Sequence, residues 1–138
     1  MAVSKVSILI AFLVTIASGL ACGSLGQTSL TEPRMAFDEP GSQVTTVFYP
    51  SNEFYAVANL NNAPKGTVVS VKWYAVNVVG YEPGFLDETV LTINEDSFTG
   101  HVSFQYMYED PVGWPPGEYK AEFYLNNTLT HTLNFSVH

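Results

Sequence analysis

One cysteine, Cys22, stands among 138 residues, so no internal disulfide is available to staple the fold. Basic residues are scarce as well. Five lysines and arginines face thirteen aspartates and glutamates, and every acid lies beyond Cys22, leaving that portion with four basic residues and a net charge of −9. Such a surface repels phosphate backbones, which excludes nucleic-acid binding, since that binding depends on lysine and arginine neutralising phosphates. Anionic lipid repels it likewise, so membrane attachment must come from something other than charge. Long apolar runs are also missing. Val6 to Ala21 falls short of the roughly 20 apolar residues that cross the hydrocarbon, and Thr15, Ser18 and Gly19 dilute it.

What is present begins with a leader. Lys5 precedes the apolar run Ile8 to Val14, and small residues then lead to Cys22. This is the three-part layout of a secretory signal, expected over residues 1–21. Gly19, Leu20, Ala21 and Cys22 resemble the lipobox of prokaryotic lipoproteins, although Gly19 and Leu20 depart from the branched and smaller residues usual there. The resemblance implies that the chain is cut before Cys22 and that its sulfur takes a diacylglycerol. A plain secretory cut after Ala21 or Gly23 also meets the small-residue rule. An exported protein anchored to the lipid bilayer on its extracytoplasmic side through acylated Cys22 is the expectation, each buried methylene contributing roughly 0.8 kcal/mol. Residues 22–32, small and polar, read as a tether.

No later segment keeps a helical period over three turns, and no internal repeat is visible. Instead, seven strand-like runs succeed one another: 42–49, 54–60, 67–76, 86–93, 100–107, 117–125 and 128–137, with a weaker candidate at 34–37. Valine, threonine and aromatics fill them, as suits a pleated, half-buried surface. Turn signals such as "NNAPKG" and "DPVGWPPG" separate them, and this spacing predicts an all-β, seven-stranded antiparallel sandwich over residues 33–138. The last two runs alternate most clearly. Tyr119, Ala121, Phe123 and Leu125 share one face, which Leu129, Leu133, Phe135 and Val137 continue beyond Asn126 and Asn127. Those asparagines tolerate the positive φ of a tight primed turn.

Trp73 on the third run and Tyr119 at the start of the sixth, in "PPGEY", resemble the immunoglobulin-like and fibronectin type III-like sandwiches. The resemblance implies Trp73 as the core plug and Tyr119 as the corner tyrosine that hydrogen-bonds back across its turn. Ala121 stands where an immunoglobulin domain has its second bridging cysteine, and Ala58 is its counterpart, so a bridge-free sandwich is implied.

Chemistry is sparse. His101, His131 and His138 share no zinc-type spacing. The acidic pairs 38–39, 87–88, 95–96 and 109–110 lack the calcium-loop pattern and read as solvated loop tips. No "GxSxG" occurs, and no cofactor, metal or catalytic residue is expected. Tyr108, Trp114 and Tyr124 are the candidate contact residues, with Trp114 open to a second reading in which it closes the end of the core. The expected role is non-catalytic binding or structural support in the cell envelope, with an envelope protein or a glycan as partner. A secreted carbohydrate-binding module and an envelope enzyme are the alternatives.

Overall fold

The computed structural model describes residues 26–138, so the expected signal peptide and Cys22 lie outside the described residues. Eight strands form two sheets: β1 (Ser29–Ala36), β2 (Val47–Phe48), β3 (Phe54–Pro64), β4 (Val68–Val78), β5 (Gly84–Thr92), β6 (Ser97–Tyr106), β7 (Gly117–Leu125) and β8 (Thr128–Val137). One sheet has the order β1-β3-β6 and the other β2-β8-β7-β4-β5. Every pairing is antiparallel except the short parallel one between β2 and β8.

The expected count of seven is corrected at the start of the domain. Strand β1 begins at Ser29, inside the stretch read as tether and ahead of the expected boundary at residue 33. Leu30 and Met35 are both buried although five positions apart, which a regular strand does not allow. The explanation is a bulge between Thr31 and Arg34, where Glu32 takes a φ of 51° and the register on β3 shifts. Pro33 sits harmlessly there, because β1 is an edge. The run 42–49 shrinks to β2, because the chain turns and changes sheets before it. Asp38 accepts from the backbone of Ser42 and Gln43, and the Arg34 Nε donates to the Gly41 carbonyl. Thr45 N then still bonds Met35 of the first sheet, while Ser136 N and His138 N reach Thr46 and Phe48 from the second.

The last hairpin turns at Asn126 and Asn127, with φ of 48° and 66°. Asn126 also donates its N–H to the Val68 carbonyl, and its side-chain oxygen accepts from the Val68 N–H, stitching the turn to β4. Beyond it the register shifts: Phe123 faces His131 but Tyr124 faces Leu129. Thr130 is the extra residue, so Leu129 leaves the apolar face expected for it and stands 47% exposed on the opposite one.

Between the sheets lies the core, with Trp73, Phe48, Phe54, Phe104 and Phe123 as its largest fully buried side chains. Trp73 lies beside Ala121 in register, and its Nε1 donates to the Thr89 hydroxyl at 3.3 Å. Ala58 and Ala121 are both completely buried. Tyr119 Oη donates to the Pro115 carbonyl, four residues upstream, at 2.7 Å. Burial pushes the Tyr119 phenol well above the usual tyrosine range.

Candidate binding surfaces

The loop joining β6 to β7 carries the aromatic segment singled out in the sequence, and it folds Trp114 inward. Asp110 accepts from the Val112 N–H and Gly113 turns with a φ of 82°. Trp114 N then donates to the Pro50 carbonyl at 2.9 Å. A side chain on Gly113 would strike that same carbonyl, so the turn requires glycine. The indole that results is only 3% exposed. It stacks on Phe54 at 4.2 Å and meets Tyr106 edge-on at 4.8 Å. An exposed platform at Trp114 is therefore corrected: the ring closes the end of the core. Its Nε1 is buried with no hydrogen-bond partner.

Tyr108 is half-buried, tilted against Trp114 at 4.9 Å, and its hydroxyl meets that of Tyr81 at 2.9 Å. That hydrogen bond, helped by desolvation and nearby negative charge, pushes the Tyr108 phenol up to about 12. The same two tyrosines help line a cavity of about 90 Å³. Ala75, Val78 and Leu86 supply its aliphatic lining, and Tyr106, Trp114 and Tyr119 its aromatic walls.

Tyr124 lies elsewhere, on the outer face of the five-stranded sheet. Cross-strand register there aligns Leu129, Tyr124, Ser70 and Val90 in one row, and Lys120, Tyr74 and Phe85 in another. Phe85 and Val90 are each 57% exposed. Two of the four basic residues beyond Cys22 work on this face: Lys72 Nζ lies 4.4 Å from the Tyr124 ring centre and Lys120 Nζ 4.8 Å from that of Tyr74. Burial, with the Glu122 carboxylate beside it, pushes the Tyr74 phenol up to about 12. The three candidate contacts thus separate, two at the loop end and one on the sheet face.

Sequence reasoning passed over Tyr74, Tyr81 and Phe85. The signal for Tyr74 was its parity with Lys72, one step out of phase with Trp73. Phe85 fell between a turn signal and a strand run, and nothing local marks Tyr81. The histidines lie apart, His101 against Glu39, His131 against Thr130 and His138 against Ser136. Among the described residues no three metal-binding side chains come together, and no helix is long and apolar enough to cross a membrane.

No protein-family model and no curated protein matches this sequence. Among solved structures it is similar to an immunoglobulin-like protein from Pseudomonas aeruginosa, at 14% identity and a TM-score of 0.56, over 84% of this chain and 100% of that one. An alkylpurine DNA glycosylase from Pseudomonas fluorescens matches at 12% identity and a TM-score of 0.49, with 82% of this chain spanning 31% of the enzyme. A β-glucosidase from Listeria innocua matches at 10% identity and a TM-score of 0.49, with 80% of this chain spanning 16% of it. These two likenesses cover fragments of larger enzymes and carry no weight for activity. The first, together with the two packed sheets and the absence of any disulfide among the described residues, makes this an immunoglobulin-like all-β sandwich.

Proposed function

We propose that this chain is an exported, lipid-anchored envelope protein that works without catalysis, by binding a neighbouring envelope protein through the outer face of its five-stranded sheet. The leader and the lone Cys22 support export and anchoring. The observation that carries the binding role is the exposed apolar set on that face, Phe85, Val90 and Leu129 beside Tyr74 and Tyr124. The charged row of Glu88, Lys72 and Glu122 runs between the two apolar rows, and exposed apolar side chains interleaved with polar ones suit a protein interface. A protein partner suits it better than a glycan, because sugars need an open flat ring. Phe85 and Tyr74 stand edge to face at 76°, the Tyr124 face is taken by Lys72, and Trp114 is buried.

A photo-crosslinking residue placed at Phe85 of the full chain in intact producing cells tests this, with one at His101 on the other sheet as control. A protein adduct from position 85 and none from 101 is expected, and Val90→Lys should abolish it while shifting stability by no more than about 0.5 kcal/mol. An adduct equal at both positions, or none at 85, contradicts the reading.

A further inference from the structure

Strand β5 ends the five-stranded sheet, and among the described residues no strand pairs with its free side. The other edges are shorter or broken: β1 is interrupted by Pro33 and its bulge, β2 has two residues, and β6 carries Gly100 at mid-strand, which weakens pairing. Strand β5 contains neither proline nor lysine, and beyond the bulge at Leu86 its residues 87–92 run in regular register against 68–73. Two hydrogen bonds fix which backbone groups point outward. Ile93 N donates to the Thr67 carbonyl, at the foot of β4, whereas Glu88 N donates to the neighbouring Asp87 carboxylate at 2.8 Å and so stands outside that ladder. Successive residues of an antiparallel strand alternate the side to which they turn N–H and C=O. Glu88, Val90 and Thr92 therefore present theirs to the free side.

We propose that this edge pairs with the same edge of a second copy of the chain, antiparallel about a two-fold axis at Val90, joining two five-stranded sheets into one. Centred there, Val90 faces Val90, and Glu88 of each copy faces Thr92 of the other, so every outward N–H and C=O of these residues gains a partner. Thr89 faces Leu91 beside them, and no acid stands opposite an acid. Other centres fit less well. Centring on Glu88 sets the two Glu88 carboxylates against each other, which is destabilising. Centring on Thr89 places Thr92 against the bulged Leu86, and centring on Leu91 places Glu88 against Asn94, beyond the end of β5. Pairing covers part of Val90 and Leu91, which are 57% and 37% exposed, and in exchange Glu88 N releases the exposed Asp87 carboxylate to water. The outer face stays free and runs on across both copies, so the dimer depends neither on an envelope partner nor on acylation.

The test compares Glu88→Cys, Val90→Cys and Thr92→Cys in the full chain, purified in mild detergent and exposed to a mild oxidant, with the unsubstituted chain as the control for Cys22. Val90→Cys is expected to give a covalent dimer of twice the chain mass, because its two copies face each other about 5.5 Å apart, within disulfide reach. Glu88→Cys and Thr92→Cys each lie roughly 13 Å from their own counterpart along the paired strand, and should stay at the level of the control. Adding Thr92→Pro to Val90→Cys removes an N–H that faces the free side, a change an edge strand tolerates. It should slow crosslinking roughly tenfold, because a hydrogen bond is lost on each side of the axis, while the circular dichroism stays that of the folded chain. The inference is overturned if Val90→Cys gives no more dimer than the control, if all three positions crosslink equally, or if Thr92→Pro leaves the rate unchanged.

Discussion

Replacing Trp114 with alanine is expected to lower the free energy of unfolding by about 3–5 kcal/mol, the range for deleting a large buried aromatic. The ring is 3% exposed, stacks on Phe54 and packs against Tyr106 and Tyr108. Its removal also enlarges a space that already exists beside it, and the cost of such a substitution grows with the residual cavity. Chemical denaturation of the variant measures this directly. A loss below about 0.5 kcal/mol, typical of surface positions, would mean that the indole is a solvent-facing platform after all. Tyr124→Ala provides the contrast. Its ring lies on the outer face under Lys72, and an exposed cation–π contact is worth only about 0.5–1 kcal/mol.

Trp73→Ala is expected to cost as much, about 3–5 kcal/mol, for a different reason. Trp73 is 1% exposed in the middle of the sandwich, where Ala121 lies beside it and Tyr106 and Phe135 pack against it. Two alanines, Ala58 and Ala121, fill buried positions without cross-linking the sheets, so the indole supplies cohesion that no covalent bond replaces. Trp73→Phe, which keeps a ring and loses the hydrogen bond to Thr89, should fall well short of that loss. Equal losses for the two variants would show that the hydrogen bond, and not the packing, holds this part of the core.

Strands that obey a strict period of two were readable from residue order. Strand β7 and the turn after it are the clearest case, since Tyr119, Ala121 and Phe123 alternate inward and Asn126 and Asn127 accept the positive φ of the turn. Where a bulge changes the parity, alternation points the wrong way. Leu30 and Met35 look incompatible until Glu32 bulges between them, and Leu129 looks buried until Thr130 is inserted. Both bulges are set by pairing with a partner strand or by twist, neither of which alternation within one strand encodes. The burial of Trp114 was one of two readings open in the sequence, and what decides between them, a backbone hydrogen bond to Pro50, lies far off in the chain and is not visible in residue order. The cavity needs several separate segments to close, and only its aromatic content was visible beforehand.

The intact mass and amino terminus of the chain recovered from membranes of producing cells test the central claim most directly. A polypeptide that starts at Cys22 and carries the added mass of a diacylglycerol is the predicted result, and Cys22→Ser should abolish the modification. A soluble cytosolic protein that keeps Met1 and an unmodified thiol would contradict the account.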